Sequence, residues 1–171
     1  MWCGQNNLMN ENLVILGVGN LLMSDDGVGI HAVRELAQNP PDGVCVVDGG
    51  TDFLSALPFM EAAQQVLILD AVHGQGAPGS IYQLAEHDLA PRADGSTAHA
   101  TSVLEARRFL PPGAPWPTIT VLGVEPLILD YGTTLSEPVA NALPRLVAMA
   151  RETIFSWQNR HFSNATIQVT S

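Results

Sequence analysis

Leu13-Val14-Ile15-Leu16-Gly17-Val18-Gly19-Asn20-Leu21-Leu22-Met23-Ser24-Asp25-Asp26-Gly27-Val28-Gly29 is the stretch that decides the fold. Its opening run is apolar and β-branched, the pattern of a strand buried on both faces. Glycines end that run, and across residues 25–38 the apolar positions return at helical spacing. A buried strand feeding directly into a helix is the first half of a βαβ unit, so a parallel sheet is expected.

The rest of the chain repeats the alternation. Further strand-like runs lie at 44–47, 66–69, 80–84 and 118–122, each bounded by Gly, Pro or Asp, and helical patterns at 52–63, 102–110 and 137 to about 155. In the last of these, Val139, Leu143, Leu146, Val147, Ala150 and Ile154 hold one apolar face, and Pro144 predicts a kink. The expected fold is an α/β three-layer sandwich, a twisted, mostly parallel five-stranded sheet with helices on both faces. One domain is expected over residues 12–157, with polar, unpatterned tails at 1–11 and 158–171.

The chain has 171 residues, 46% hydrophobic and 14% charged, which suits one domain with a real core. A formal charge of −10 with only 7 Lys and Arg argues against nucleic acid and anionic membranes as partners. No apolar run reaches the roughly 18 to 20 residues of a membrane span, and the N-terminus lacks the layout of a signal peptide. The expected location is the cytoplasm. The 2 cysteines, Cys3 and Cys45, suggest neither a disulfide framework nor a zinc knuckle. Cys45, among Val44, Val46 and Val47, reads as a buried structural thiol rather than a nucleophile.

In open parallel sheets ligands gather outside the carboxyl ends of the strands, and acids cluster there in this sequence. Asp25 and Asp26 follow the first strand, Asp48-Gly49-Gly50 closes the second, Asp70 ends the third and Glu125 follows the fifth. Ser24 is placed to cap a helix, with Asp25 and Asp26 in its first turn, which alone would explain one acid. Gly27 and Gly29 favour more than capping, since each costs ~1 kcal/mol inside a helix and implies close approach of backbone or ligand. Asp70 is the sharper signal, because a carboxylate at the end of a doubly buried strand needs a partner. Asp48 fits a structural turn as well as a functional role.

Residues 84–101 interrupt the alternation with a polar loop carrying His87, Asp88, Asp94 and His99, the layout of an active-site loop. Of the 5 histidines, His31 reads as a packing or surface residue and His161 as part of the tail, while His73 rivals His99. Two carboxylates and one imidazole would make an oxygen-rich site suited to nickel or zinc. Leu22 stands where a dinucleotide-binding Gly-x-Gly-x-x-Gly would need its third glycine. The serine-hydrolase elbow and the His-Glu-x-x-His helix are missing from the sequence as well.

The blocks 16–22 and 25–29, with Asp48-Gly49-Gly50-Thr51, Leu67-Ile68-Leu69-Asp70-Ala71, Ala77-Pro78-Gly79 and Leu122-Gly123-Val124-Glu125-Pro126, closely resemble the hydrogenase maturation endopeptidases in order and spacing. The resemblance covers roughly residues 13–155. It implies an aspartic-type endopeptidase that removes a C-terminal extension from the large-subunit precursor of a nickel-iron hydrogenase once nickel is inserted. It also implies that the metal-contacting, catalytic positions fall on Asp26, Asp70 and His99; Asp25, Asp48, His73 and Glu125, singled out above by their placement, are secondary candidates. The family often has Glu where this chain has Asp26, which shortens the reach by one methylene. Nickel is expected to arrive with the substrate rather than to reside in the free enzyme, which is expected to be a monomer. The rival reading is a nickel-sensing assembly factor that binds the precursor without cutting it.

Overall fold

A computed structural model describes residues 2–3, 13–51, 56–89, 107 and 113–166, with 2–3 and 161–166 given by their backbone. Four strands run parallel: β2 (Leu13–Val18), β3 (Val44–Gly50), β4 (Gln65–Ala71) and β6 (Thr118–Val124). Antiparallel strands flank them, β1 (Trp2–Cys3) on β3 and β5 (Ile81–Ala85) on β6, giving the order β1-β3-β2-β4-β6-β5. The five expected strands are all present.

Each central strand is buried on both faces, and its side chains divide between two cores. Leu13, Ile15, Leu67, Leu69, Leu122 and Val124 face α1 (Val28–Leu36) and α3 (Glu137–Thr166). Val14, Leu16, Val66, Ile68, Ile119 and Val121 face the other way, towards Met60 of α2 (Leu57–Ala62). That is the three-layer arrangement, and it brings the carboxyl ends of β3, β2, β4 and β6 to one edge.

Several expectations are corrected. The chain near its start is not all tail, since Trp2–Cys3 adds a strand, too short to show any periodicity. Cys45 is not a free thiol: it is disulfide-bonded, and Cys3, the other cysteine of the chain, is its register partner across β1 and β3. Opposed residues of an antiparallel pair lie within bridging distance, whatever their separation in sequence. Past residue 158 the chain continues as helix to Thr166, so His161 is helical rather than part of a tail, and α3 is unbroken across Pro144. Among the described residues, no helix is long and apolar enough to cross a membrane.

Candidate functional site

Asp70 occupies the next-to-last position of β4, opposite Gly123 of β6, with no exposed surface. The strand outlasts its expected end by two residues, so Asp70 is part of the ladder, and its Oδ1 accepts the Ala71 amide at 2.8 Å. Asp26 belongs to the adjacent strand's exit, β2 being paired with β4. It lies in a 3-10 turn, Ser24–Gly27, that precedes α1 and packs against β4. Its Oδ2 accepts the Asn20 amide at 2.9 Å, folding the loop after β2 back over the turn.

Gly29 explains why this turn sits so close to the sheet. A Cβ there would lie 2.1 Å from the Leu69 carbonyl oxygen and 2.5 Å from that of Val18, so only glycine lets α1 cross the ends of β2 and β4. The close approach expected at residues 27–29 is thus one of backbone on backbone. It brings the turn bearing Asp26 to the edge where Asp70 ends. Two carboxylates there supply oxygen donors for a divalent ion and acceptors for a proton from water.

Asp25 does something different. Its side chain is fully buried and accepts four hydrogen bonds: from the amides of Leu127 (2.8 Å), Ile128 (2.8 Å) and Ser136 (2.6 Å), and from the Ser136 hydroxyl (2.8 Å). Burial pushes its pKa up, but these donors outweigh burial and hold the carboxyl below its ordinary value. Asp25 therefore clamps residues 127–136 to the turn. Ser24 does not cap the helix, as expected from sequence; its backbone sits at φ +50 and its hydroxyl donates to the Asp130 carbonyl at 3.0 Å. Tertiary partners win because the turn is wedged between the sheet and that segment.

Asp48 serves the turn and an ion pair, accepting the Gly50 amide at 3.1 Å and Arg34 at 3.3 Å. His31, half-buried in α1, has its pKa lowered by burial and by Arg34, as fits a packing residue. Glu125 is nearly buried and takes up Tyr82 Oη (2.6 Å), the amides of Gly74 (2.7 Å) and Gly76 (3.2 Å), and His73 Nδ1 (3.2 Å). Burial raises its pKa, but the Tyr82 hydroxyl, the Gly74 amide, His73 and the Gly76 amide together bring it below the usual value. Burial and the same carboxylate raise that of Tyr82. Glu125 thus folds residues 73–80 against β5 and fixes the imidazole of His73, which stays half exposed.

His99 and nearly all of the expected helix at 102–110 lie outside the described residues. Among the described residues, no group of three or more His, Cys, Asp or Glu is placed to hold a metal ion. Sequence reasoning missed Tyr82, Ser136 and residues 127–131. The signal for the last was three consecutive aliphatic residues just past Glu125-Pro126, outside any strand.

The fold is that of an α/β protein with acidic side chains gathered at the carboxyl ends of a parallel sheet. A profile of the family described as hydrogenase maturation protease matches residues 30–153, a span that includes Asp70 and Glu125. The Rhodobacter capsulatus hydrogenase expression/formation protein HupD is 31% identical over 166 residues, covering 92% of this chain and 78% of its own. The Escherichia coli hydrogenase 2 maturation protease is 31% identical over 151 residues, 82% of this chain and 91% of its own. The structure of the E. coli hydrogenase maturating endopeptidase HybD superposes with a TM-score of 0.73 at 26% identity, over 85% of this chain and 93% of its own. This chain belongs to the hydrogenase maturation protease family.

Proposed function

We propose that this protein is an endopeptidase that removes the C-terminal extension of a nickel-iron hydrogenase large-subunit precursor after nickel insertion. The observation that supports this best is the placement of Asp26 and the fully buried Asp70 on adjacent strand exits, in a chain of this protease family. Asp26, Asp70 and His99 contact the nickel that the substrate already holds, so that only a loaded precursor is cut. A carboxylate of this set takes a proton from water as its oxygen adds to the peptide carbonyl; the C–N bond then breaks and the leaving amine takes up a proton. In this sense the chemistry is of the aspartic type. The enzyme acts in the cytoplasm as a monomer.

The mass of a nickel-loaded precursor, before and after incubation with catalytic amounts of the protein, tests this reading. Loss of a C-terminal peptide with the wild type, but not with Asp26→Ala, is the expected result. An unchanged mass with a stoichiometric complex would favour the assembly factor instead. Stoichiometric, chelator-resistant nickel or zinc in freshly purified enzyme would overturn the view that the substrate supplies the metal.

A further inference from the structure

Leu22, Leu127, Ile128, Leu129 and Tyr131 are exposed by 61%, 55%, 44%, 42% and 88%. Scattered apolar residues need no explanation, but these are neighbours. Gly132 donates its amide to the Leu22 carbonyl at 3.0 Å, Met23 bridges to Gly132, and the Asp25 amide donates to the Ile128 carbonyl at 3.1 Å. The loop after β2 and residues 127–132 thus run side by side, each presenting aliphatic or aromatic side chains outward.

The patch is also held rigid, since Asp25 binds the amides of Leu127 and Ile128 and, further on, that of Ser136. Pre-ordering of this kind lowers the entropic cost of docking. It adjoins the candidate site directly: the Leu22 amide donates to Asn20 Oδ1 at 3.0 Å, and the Asn20 amide to Asp26 at 2.9 Å. No Lys or Arg occurs in residues 17–29 or 125–137, while Asp26, Asp130 and Glu137 supply only negative charge. The complement is an apolar segment without acidic side chains. A second copy of this chain, with its net charge of −10, meets that requirement poorly.

We propose that Leu22, residues 127–129 and Tyr131 form a preformed docking surface for an apolar, non-acidic segment of the precursor beside the bond to be cut. Asp25 is its positioning residue. The assignment of the occupant rests on the function proposed above, but the binding it predicts can be measured whether or not cleavage follows.

The test compares binding of nickel-loaded large-subunit precursor to the wild type, to Leu127→Ser with Tyr131→Ser, and to Leu127→Met. The double variant should bind roughly 10- to 100-fold more weakly, as loss of two apolar anchors does at interfaces. Leu127→Met with Tyr131 intact should regain most of the affinity, and high salt should leave the difference in place, because the contact is apolar. Urea midpoints equal to wild type would show that the exposed substitutions leave the fold intact. Weakened binding without cleavage by any of these proteins would keep the docking surface and sink the protease reading. Equal binding by wild type and double variant would overturn the proposal, as would a wild-type dimer that the double variant dissociates.

Discussion

Asp25→Ala removes one buried side chain and takes the acceptor from three amides and a hydroxyl. Hydrogen bonds to a charged acceptor are each worth ~1.5 to 3 kcal/mol, but water entering the space left by the carboxylate re-satisfies part of the set. Opening of residues 127–136 alone also limits the loss, since that segment can detach locally. The expected destabilisation is about 3 to 5 kcal/mol, the range for breaking a buried charged network. Urea unfolding at neutral pH measures it, and amide hydrogen exchange at Leu127, Ile128 and Ser136 localises it. Because the pKa of Asp25 is lowered on folding, its contribution is complete above the unfolded value of ~4 and disappears as pH falls through the folded value. Asp25→Asn should therefore flatten the acid side of the stability profile. A loss under ~1 kcal/mol for Asp25→Ala, the size of an ordinary surface change, with exchange still slow at the three amides would refute the clamp.

Asp26→Ala, one residue on, should abolish precursor processing in the mass assay, and loss of its hydrogen bond from the Asn20 amide should contribute ~1 kcal/mol to the change in an unfolding experiment. Gly29→Ala sets a methyl against two backbone oxygens and should cost roughly 2 to 3 kcal/mol or more, read as a lowered urea midpoint. Tyr82→Phe deletes the 2.6 Å bond to Glu125, so the Glu125 pKa should rise in an NMR titration while stability falls by ~1 to 3 kcal/mol. Asp70→Asn is isosteric yet should eliminate processing, with the precursor mass as the readout.

Much of the architecture is legible because burial on both faces forces unbroken apolar runs. Leu13 to Val18 and Val66 to Leu69 could hardly serve elsewhere, and Asp70 at the end of such a run marks itself as an acid that must have partners. Gly29 is legible as a close approach, though not as an approach to the Leu69 carbonyl. Asp25 and Asp26, by contrast, are chemically identical neighbours, and local rules put both in a helix's first turn. Only their distant partners separate them.

The sequence by itself determined the layered α/β fold and the acids that reach the carboxyl edge of its sheet, because periodicity and strand ends are local properties. Only the tertiary structure decided which acids hold the molecule together. Asp25 meets Ser136 at a sequence separation of 111, Glu125 closes on Tyr82 and Gly74, and Cys45 faces Cys3 across a strand pair. A hydrogen bond or a disulfide depends on distance in space, and spacing along the chain carries no record of it until the sheet has assembled.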